Sequence, residues 1–251
     1  MGIVNVTPDS FSDGGVALDP QAAVAGARAM ATAGAAICDV GAESTRPGAE
    51  PVPEDEEIAR IRPVFEALAS DRAAVPLSVD TRRASVAALA IDAGAVLVND
   101  VTAGADPAMF PLVAERGVGI CLMHMRGEPL TMQDDPRYGD VLSEVAAFLL
   151  ARMEAAVALG VPEGHIVLDP GIGFGKSLDH NLALLRGLPS IVALGRPVLV
   201  GVSRKGIIGA LTGRDVPGRM AGSIGAALAA VDAGAAVVRV HDVPETVDAL
   251  R

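Results

Sequence analysis

The sequence predicts an α/β protein with the (β/α)8, or TIM-barrel, fold in a single domain spanning residues 1–251. Eight short runs rich in β-branched residues alternate with Ala/Leu-rich segments of helical spacing. The runs are almost continuously apolar, which is typical of strands buried on both faces of a parallel sheet. No Pro/Ser-rich linker or block of charge divides the chain. A doubly wound open sheet is the structural alternative.

The predicted strands are short and regularly spaced. They lie at residues 2–6, 36–40, 76–80, 95–100, 119–125, 165–171, 197–203 and 235–241. The predicted helices lie at 20–33, 54–69, 82–93, 107–116, 140–159, 179–193, 218–233 and 244–251. Gly often follows a helix just before the next strand, as at Gly34 and Gly94, because Gly adopts the left-handed conformation of a helix C′ position cheaply. Eight such units in 251 residues favour the barrel.

Composition limits the classes of function. Of the 251 residues, 51% are apolar, so a large core can form without disulfides or metals. Cys38 and Cys121 stand inside apolar runs, which predicts two core thiols and fits a reducing cytoplasm. The net charge of −11 argues against a nucleic-acid partner. We expect a cytoplasmic protein with no membrane partner, since no signal peptide and no apolar stretch of about 18 residues is visible.

Polar side chains follow nearly every predicted strand. They include Asn5, Glu43, Ser44, Thr45, Arg46, Asp80, Thr81, Arg82, Asn99, Asp100, His124, Asp169, Ser203, Arg204, Lys205, Arg239 and His241. In barrels of this type, the loops that follow the strands meet at one end, where the chemistry takes place. A single buried Asn or Asp is usually a satisfied structural group, but convergence on one rim favours a site.

The residue types at this rim disfavour several kinds of site. LDPGIGFGKS is not a Walker A loop, since Pro170 stands where that loop requires Gly relative to Lys176. Its glycines are interpreted as a sharp bend that leaves Asp169 on the rim. The acceptor residues have no His pair or second Cys nearby, which disfavours zinc. Covalent serine catalysis is also disfavoured, because no G-x-S-x-G motif is present.

The remaining pattern fits a flat heterocycle that carries an anion. Asp80, Asn99 and Asp169 supply acceptors, and a carboxylate can accept two parallel N–H bonds from an amidine-like edge. A second set is cationic and comprises Arg46, Arg204, Lys205, Arg239 and His241. Arg239 interrupts the last strand, where an unpaired charge would be costly unless an anion meets it. The sequence therefore predicts an anionic substrate.

Eight stretches resemble the dihydropteroate synthase family, the folate-pathway enzymes that sulfonamides block. They are MGIVNVTPDSFSDGG, ESTRPGA, SVDT, VNDV, CLMHMRG, LDPGIGFGK, SRK and RVHD, in family order over nearly the whole chain. The resemblance implies a pterin-binding TIM-barrel domain over residues 1–251 and a homodimer. It also implies a transferase that condenses 6-hydroxymethyl-7,8-dihydropterin diphosphate with 4-aminobenzoate, with Mg²⁺ present, giving 7,8-dihydropteroate and diphosphate.

The same resemblance implies roles for individual residues. The pterin would be surrounded by Asp80, Asn99, Asp169 and Lys205. The diphosphate would be held by Thr45, Arg239 and His241, with Asn5 as the protein ligand of Mg²⁺. The 4-aminobenzoate pocket would be lined or closed by Phe11, Arg46, Pro47, Phe174 and Ser203. The catalytic residues would be Lys205, Arg239 and Asp169.

The chemistry of that reaction agrees with the residues present. When diphosphate leaves the pterin CH₂ group, positive charge grows on carbon and negative charge on the leaving group, so cations and fixed acceptors are needed. A neutral aromatic amine can then attack without a strong base. Residues 7–15, TPDSFSDGG, have the composition of a lid, with Gly14 and Gly15 as the hinge, Phe11 as an apolar plug, and Asp9 and Asp13 facing Arg46.

Gly206 departs from the family pattern, because many relatives have Ser or Arg after the SRK motif. Such side chains can bind the aminobenzoate carboxylate, whereas Gly206 leaves only backbone N–H groups at a helix N-terminus for this contact. Two alternatives to the synthase remain. One is a pterin-binding barrel that serves a corrinoid methyltransferase, which would not use Asn5, the ESTRP motif or the RVH cations. The other is a non-catalytic pterin-binding or regulatory protein.

Overall fold

The computed structural model describes residues 1–6, 20–69 and 75–251. Eight strands lie within these ranges, and every pair of neighbours is parallel. The strands are β1 Gly2–Asn5, β2 Cys38–Gly41, β3 Leu77–Asp80, β4 Ala95–Asp100, β5 Gly119–Met123, β6 Ile166–Asp169, β7 Leu199–Val200 and β8 Val237–Val238. Each predicted strand is present, although β7 and β8 keep only two residues of regular pairing.

The strands close into a barrel. β1 to β6 pair in sequence order, and β7 pairs with β8. Leu168 of β6 forms a parallel bridge with Val198, the residue before β7. The Leu168 N–H donates to the Pro197 carbonyl at 2.9 Å. Ile3 of β1 donates to the Val240 carbonyl at 3.0 Å, which joins the chain after β8 to β1. The ring is therefore complete, and the alternative of an open doubly wound sheet is wrong.

Helices surround this barrel. They are α1 Pro20–Thr32, α2 Glu54–Ala69, α3 Ala84–Asp92, α4 Met109–Arg116, α5 Val141–Ala158, α6 Leu178–Arg186, α7 Leu188–Val192, α8 Gly206–Thr212, α9 Met220–Asp232 and α10 Val243–Leu250. Helix α2 shows the cause of the packing, since Ile61, Phe65 and Leu68 recur at helical spacing and are buried. Gly34, Gly94, Gly160 and Gly234 follow helices with φ of 95° to 102°, as predicted.

Two helix predictions were wrong. The predicted helix 179–193 is interrupted at Gly187, which separates α6 from α7. Pro189 in the first turn of α7 lacks a backbone N–H and cannot continue the α6 ladder. The short helix α8 was not predicted, because its Gly and β-branched residues have low helix propensity. Burial of Ile207 and Ile208 holds it in place.

The core occupies the barrel and the layer between strands and helices. Most strand residues are buried, which confirms the two-sided burial that their apolar runs predict. Cys38 and Cys121 are free and buried, and burial raises the pKa of the Cys38 thiol to about 11. Among the described residues, no helix is long and apolar enough to cross a membrane.

Candidate active site

A cavity of about 750 Å³ opens at the carboxyl ends of the strands. Its wall contains every predicted site residue in the described part of the chain, namely Asn5, Thr45, Arg46, Pro47, Asp80, Asn99, Asp169, Phe174, Ser203, Lys205, Arg239 and His241. Phe11 lies outside the described residues, as does the rest of the predicted lid, 7–15. Parallel strands that end together explain why residues so distant in sequence share one wall.

Three strand ends present acceptor oxygens to this cavity. The Asn99 amide donates from Nδ2 to Asp39 Oδ2 at 3.0 Å, so its Oδ1 is turned away from that bond. Asp169 accepts the Gly171 N–H on Oδ1 at 2.7 Å, and Asp80 accepts from Arg239 on Oδ2. One further oxygen of each side chain makes no hydrogen bond to a described residue. The set can therefore accept several N–H groups from a ligand.

Burial makes the carboxyls of this set hard to ionise. It raises the pKa of Asp80 to about 7, with nearby Asp39 adding to the effect and Arg239 opposing it. Burial also raises the pKa of Asp169, against the influence of Lys205. A ligand that donates N–H groups to these oxygens would favour the ionised forms. The floor of the cavity is thus electrostatically suited to a donor-rich edge.

Arg239 does not have the unpaired charge that its place in the last strand suggested. Its Nε donates to Asp39 Oδ2 at 2.6 Å and its Nη2 to Asp80 Oδ2 at 2.7 Å. Burial disfavours the cation, but the two carboxylates outweigh it and raise the pKa of Arg239 above the ordinary value. The argument that an anion must neutralise Arg239 was therefore wrong. Its Nη1 makes no hydrogen bond to a described residue and remains available to a ligand.

Lys205 follows β7, the strand that pairs with β8, and also lines the cavity. Its Nζ donates to the Ile172 carbonyl at 2.6 Å and lies 4.5 Å from the centroid of the Phe174 ring. Burial lowers the pKa of Lys205 to about 8, although Asp169 favours the cation. The preceding Arg204 adopts a left-handed backbone with φ of 58° and pairs through its guanidinium with Asp242. Arg204 is thus neutralised within the fold.

His241 is neutral near pH 7, which corrects its inclusion among the predicted cations. Burial lowers its pKa to about 4, and Arg239 acts in the same direction. Its Nδ1 lies 3.0 Å from Ser203 Oγ, which also accepts the His241 backbone N–H at 3.1 Å. We assign the remaining hydroxyl proton to the bond with Nδ1, which leaves an N–H on Nε2. His241 offers a hydrogen bond to an anion without adding charge.

The loop after β2 is held by a residue that the sequence argument left unassigned. Glu43 is nearly buried and accepts from Arg82 Nε at 3.1 Å and Arg82 Nη2 at 3.0 Å. It also accepts the Val52 N–H at 3.1 Å. These bonds fix the loop that carries Thr45 and Arg46. The acidic residue before STRP and the Arg pair after the third strand are the signals that could have revealed the contact.

The loop after β6 is held by Lys176. Its buried Nζ contacts His124 Nδ1 at 2.9 Å and donates to the Gly171 and Phe174 carbonyls, each at 2.9 Å. Burial lowers the pKa of Lys176 to about 7. Gly171 has φ of 66°, and a Cβ there would overlap the His124 carbonyl oxygen. The sharp bend predicted for this stretch is confirmed, and Lys176 closes it.

Comparison with known proteins identifies the family. The family model described as pterin binding enzyme matches residues 1–241. A dihydropteroate synthase of Neisseria meningitidis serogroup C is 50% identical over 256 aligned residues, covering 100% of this chain and 90% of the relative. The dihydropteroate synthase of Escherichia coli strain K12 is 45% identical, covering 100% of this chain and 89% of the relative.

Solved structures agree in fold. Xanthomonas albilineans dihydropteroate synthase with 4-aminobenzoic acid has a TM-score of 0.93 and 50% identity, covering 99% of this chain and 89% of that one. A structure of the enzyme from the same organism with 7,8-dihydropteroate has a TM-score of 0.90 and 46% identity, with the same coverage. The barrel, the shared cavity and these similarities agree from end to end. The chain therefore belongs to the dihydropteroate synthases of the pterin-binding enzyme family.

Proposed function

We propose that this chain condenses 6-hydroxymethyl-7,8-dihydropterin diphosphate with 4-aminobenzoate to give 7,8-dihydropteroate and diphosphate. The observation that carries the proposal is a single cavity that joins the acceptors of Asp80, Asn99 and Asp169 to the cations Lys205 and Arg239. Relatives solved with 4-aminobenzoic acid and with 7,8-dihydropteroate support the same substrates. Residues 1–251 would act as one pterin-binding unit.

The pterin ring is assigned to the acceptor floor. Its amino and ring N–H groups would donate to the carboxylates of Asp169 and Asp80 and to the amide oxygen of Asn99. These acceptors match the N–H donors along that edge of the ring. Lys205 would donate to the acceptor edge of the ring. Since Lys205 and Asp169 line the same cavity, they would hold the two edges at once.

The diphosphate is assigned to Thr45, Arg239 and His241. Arg239 supplies a permanent charge, while Thr45 and the assigned Nε2–H of His241 supply hydrogen bonds. Asn5 would contribute its amide oxygen to Mg²⁺. The described residues contain no group of three or more His, Cys, Asp or Glu side chains able to hold a metal. A single amide oxygen from Asn5 suits an ion whose other ligands would be diphosphate and water, and such an ion would supply further positive charge to the leaving group.

The second substrate is assigned to the outer wall of the cavity. Arg46, Pro47, Phe174 and Ser203 line it, and Phe11 of residues 7–15 would complete it. Gly206 also lines the cavity and adds no side chain to it. Phe174 and Pro47 would pack on the aromatic ring of 4-aminobenzoate. The Arg46 guanidinium would pair with its carboxylate.

The chemistry separates charge along one bond. The C–O bond to diphosphate breaks with its electron pair moving to oxygen, where Arg239 stabilises the growing negative charge. The amine nitrogen of 4-aminobenzoate then forms the C–N bond with its lone pair, and its N–H proton passes afterwards to water or to the released diphosphate. Asp169 and Lys205 keep the ring in place while positive charge resides on the pterin. No side chain has to act as a strong base.

The test is a diphosphate-release assay with pterin diphosphate, run with and without 4-aminobenzoate and Mg²⁺. The proposal predicts release that depends on the amine and matches the 7,8-dihydropteroate formed. Release that never depends on the amine would indicate a hydrolase, and pterin binding without release would indicate a non-catalytic pterin protein. Either result would contradict the proposal.

Assembly and location are further proposals. We propose a homodimer, on the basis of the family resemblance, and light scattering after size exclusion measures it. A monomer at all tested concentrations would contradict the dimer. Cytoplasmic location stays a prediction from the two free, buried cysteines.

A further inference from the structure

Asp39 lies beneath the cavity and does not line it. It is fully buried in β2, between Cys38 and Val40, which are also fully buried. One oxygen, Oδ2, accepts from both Arg239 Nε at 2.6 Å and Asn99 Nδ2 at 3.0 Å. The other oxygen, Oδ1, has no hydrogen-bond partner among the described residues. A single buried atom thus connects two residues of the cavity wall, Asn99 in β4 and Arg239 just after β8.

Charge neutrality does not explain this carboxylate. Arg239 already has Asp80 as a partner, through Nη2 at 2.7 Å. A second buried carboxylate beside one guanidinium costs desolvation energy and repels Asp80, so it lowers the stability of the fold. Stability therefore does not account for the presence of Asp39. Asp39 also leaves one of its oxygens without a partner, which is a further cost. A carboxylate kept in such surroundings is a candidate for a functional role.

The geometry supplies that role. Since Asn99 donates its Nδ2 to Asp39, the amide is turned so that Oδ1 is the atom left for a ligand. Since Arg239 donates its Nε to Asp39 and Nη2 to Asp80, the guanidinium plane is fixed and Nη1 is left for a ligand. Without Asp39, the Asn99 amide could rotate and present a donor where an acceptor is needed.

We propose that Asp39 is a positioning residue of the pterin diphosphate site. Its Oδ2 sets which atom of Asn99 and which edge of Arg239 meet the substrate, although Asp39 itself does not touch it. The assignment rests on the proposed function, because it takes the pterin and the diphosphate as the ligands of those two residues.

The test compares two variants at position 39 with a matched control. Asp39→Leu removes the acceptor and the charge at similar size, whereas Asp39→Asn keeps one acceptor oxygen and loses the charge. Ser78 pairs with Asp39 in the neighbouring strand and also carries a buried oxygen with no described partner, so Ser78→Ala is the control. The measurements are melting temperature, the Kd of pterin diphosphate by calorimetry, and KM for 4-aminobenzoate at saturating pterin diphosphate.

We expect Asp39→Leu to raise the Kd of pterin diphosphate about ten- to a hundredfold, as loss of a charged acceptor for two ligand-binding groups implies. Asp39→Asn should raise it about five- to tenfold, since a neutral oxygen is a weaker acceptor. KM for 4-aminobenzoate should not change in either variant, and Ser78→Ala should match the wild type in all three measurements.

The outcomes separate positioning from stability. A folded Asp39→Leu protein with a lower melting temperature but an unchanged Kd would overturn the proposal. If Asp39→Leu does not fold, an Asp39→Asn Kd within about twofold of the wild type would overturn it in the same way. Wild-type protein that binds pterin diphosphate but makes no 7,8-dihydropteroate would refute the proposed reaction, while the comparison of Kd values would still decide the role of Asp39.

Discussion

The two sides of the cavity hold their buried cations differently. On the side of β2, β3 and β8, Arg239 is bound by the carboxylates of Asp39 and Asp80. On the side of β6 and β7, Lys205 donates to a backbone carbonyl, and Lys176 donates to carbonyls and contacts His124. The pKa of Arg239 is raised, whereas burial lowers the pKa of Lys205 to about 8 and that of Lys176 to about 7.

The difference follows from the hydrogen-bond partners, because a carbonyl dipole compensates a buried ammonium less fully than a carboxylate compensates a guanidinium. One side of the cavity therefore has a permanent charge, which suits a diphosphate that must be held throughout the reaction. The other side has a cation that titrates near neutral pH, which suits a neutral heterocycle. Four variants or conditions test this contrast, beginning with the largest expected effect.

Replacing Arg239 should have the largest effect. Arg239→Met leaves Asp39 and Asp80 buried without their shared cation, so the free energy of unfolding should fall by about 3 kcal/mol. The same change should lower kcat/KM by roughly a hundredfold or more, because the leaving group loses its charged partner. Urea unfolding and steady-state kinetics measure the two quantities.

The control is Arg116→Met, which removes an ion pair with Asp92 at the surface, where both side chains are well exposed. It should leave stability and kcat/KM nearly unchanged. Arg239→Met with kcat/KM within tenfold of the wild type would mean that the carboxylate-bound side of the cavity does not act on the diphosphate.

The pH dependence of pterin affinity should report on the lysine side. Below pH 8 Lys205 is mainly a cation, and the cation is lost as pH rises through its lowered pKa of about 8. The Kd of pterin diphosphate should therefore increase above pH 8. In Lys205→Arg this increase in Kd above pH 8 should disappear, because a guanidinium stays charged. If Kd increases above pH 8 to the same extent in the Arg variant, the titrating group is not Lys205.

The loop after β2 should give a smaller effect. Glu43→Gln weakens the bonds to Arg82 and to the Val52 N–H, so the loop with Thr45 and Arg46 becomes less fixed. KM for 4-aminobenzoate should rise about three- to tenfold, while the Kd of pterin diphosphate stays the same. Glu163→Gln is the control, since its exposed side chain pairs with Arg196 and Glu163 lies just before β6, at the other end of the barrel from this loop. An equal rise in both variants would contradict the assignment.

Filling Gly206 should give the smallest effect. A Cβ at this position meets no atom within 4 Å, so the cavity can accept a side chain. Gly206→Ser should lower KM for 4-aminobenzoate about two- to fivefold, because its hydroxyl can donate to the carboxylate. Gly206→Ala should leave KM unchanged. If both variants change KM equally, the effect comes from the helix and not from a hydrogen bond.

Much of this arrangement follows from local sequence. The barrel was predictable because eight apolar runs of strand length alternate with helical segments, and the cavity wall was predictable because parallel strands all turn polar at one end. The break between α6 and α7 was less evident, since Gly187 and Pro189 stand inside an otherwise continuous helical pattern. Helix α8 depends on burial of its isoleucines, which local propensity does not reveal.

The pairing of buried charges was not predictable. Asp39 stands in mid-strand between apolar residues, and its partner Arg239 is 200 positions away. Glu43 and Arg82 are likewise brought together only when neighbouring strands pair. Lys176 was considered only as part of a phosphate loop, because its acceptors are backbone carbonyls that no side-chain pattern marks. Phe11 and the lid stay predictions, since residues 7–19 are not described.

The most direct measurement is a crystal structure of the protein with pterin diphosphate and a non-reacting 4-aminobenzoate analogue. We expect the pterin ring on Asp80, Asn99 and Asp169, and the diphosphate against Arg239 and His241. A ring bound outside this acceptor set, or a diphosphate that does not contact Arg239, would contradict the claim that one cavity joins the two halves of the reaction.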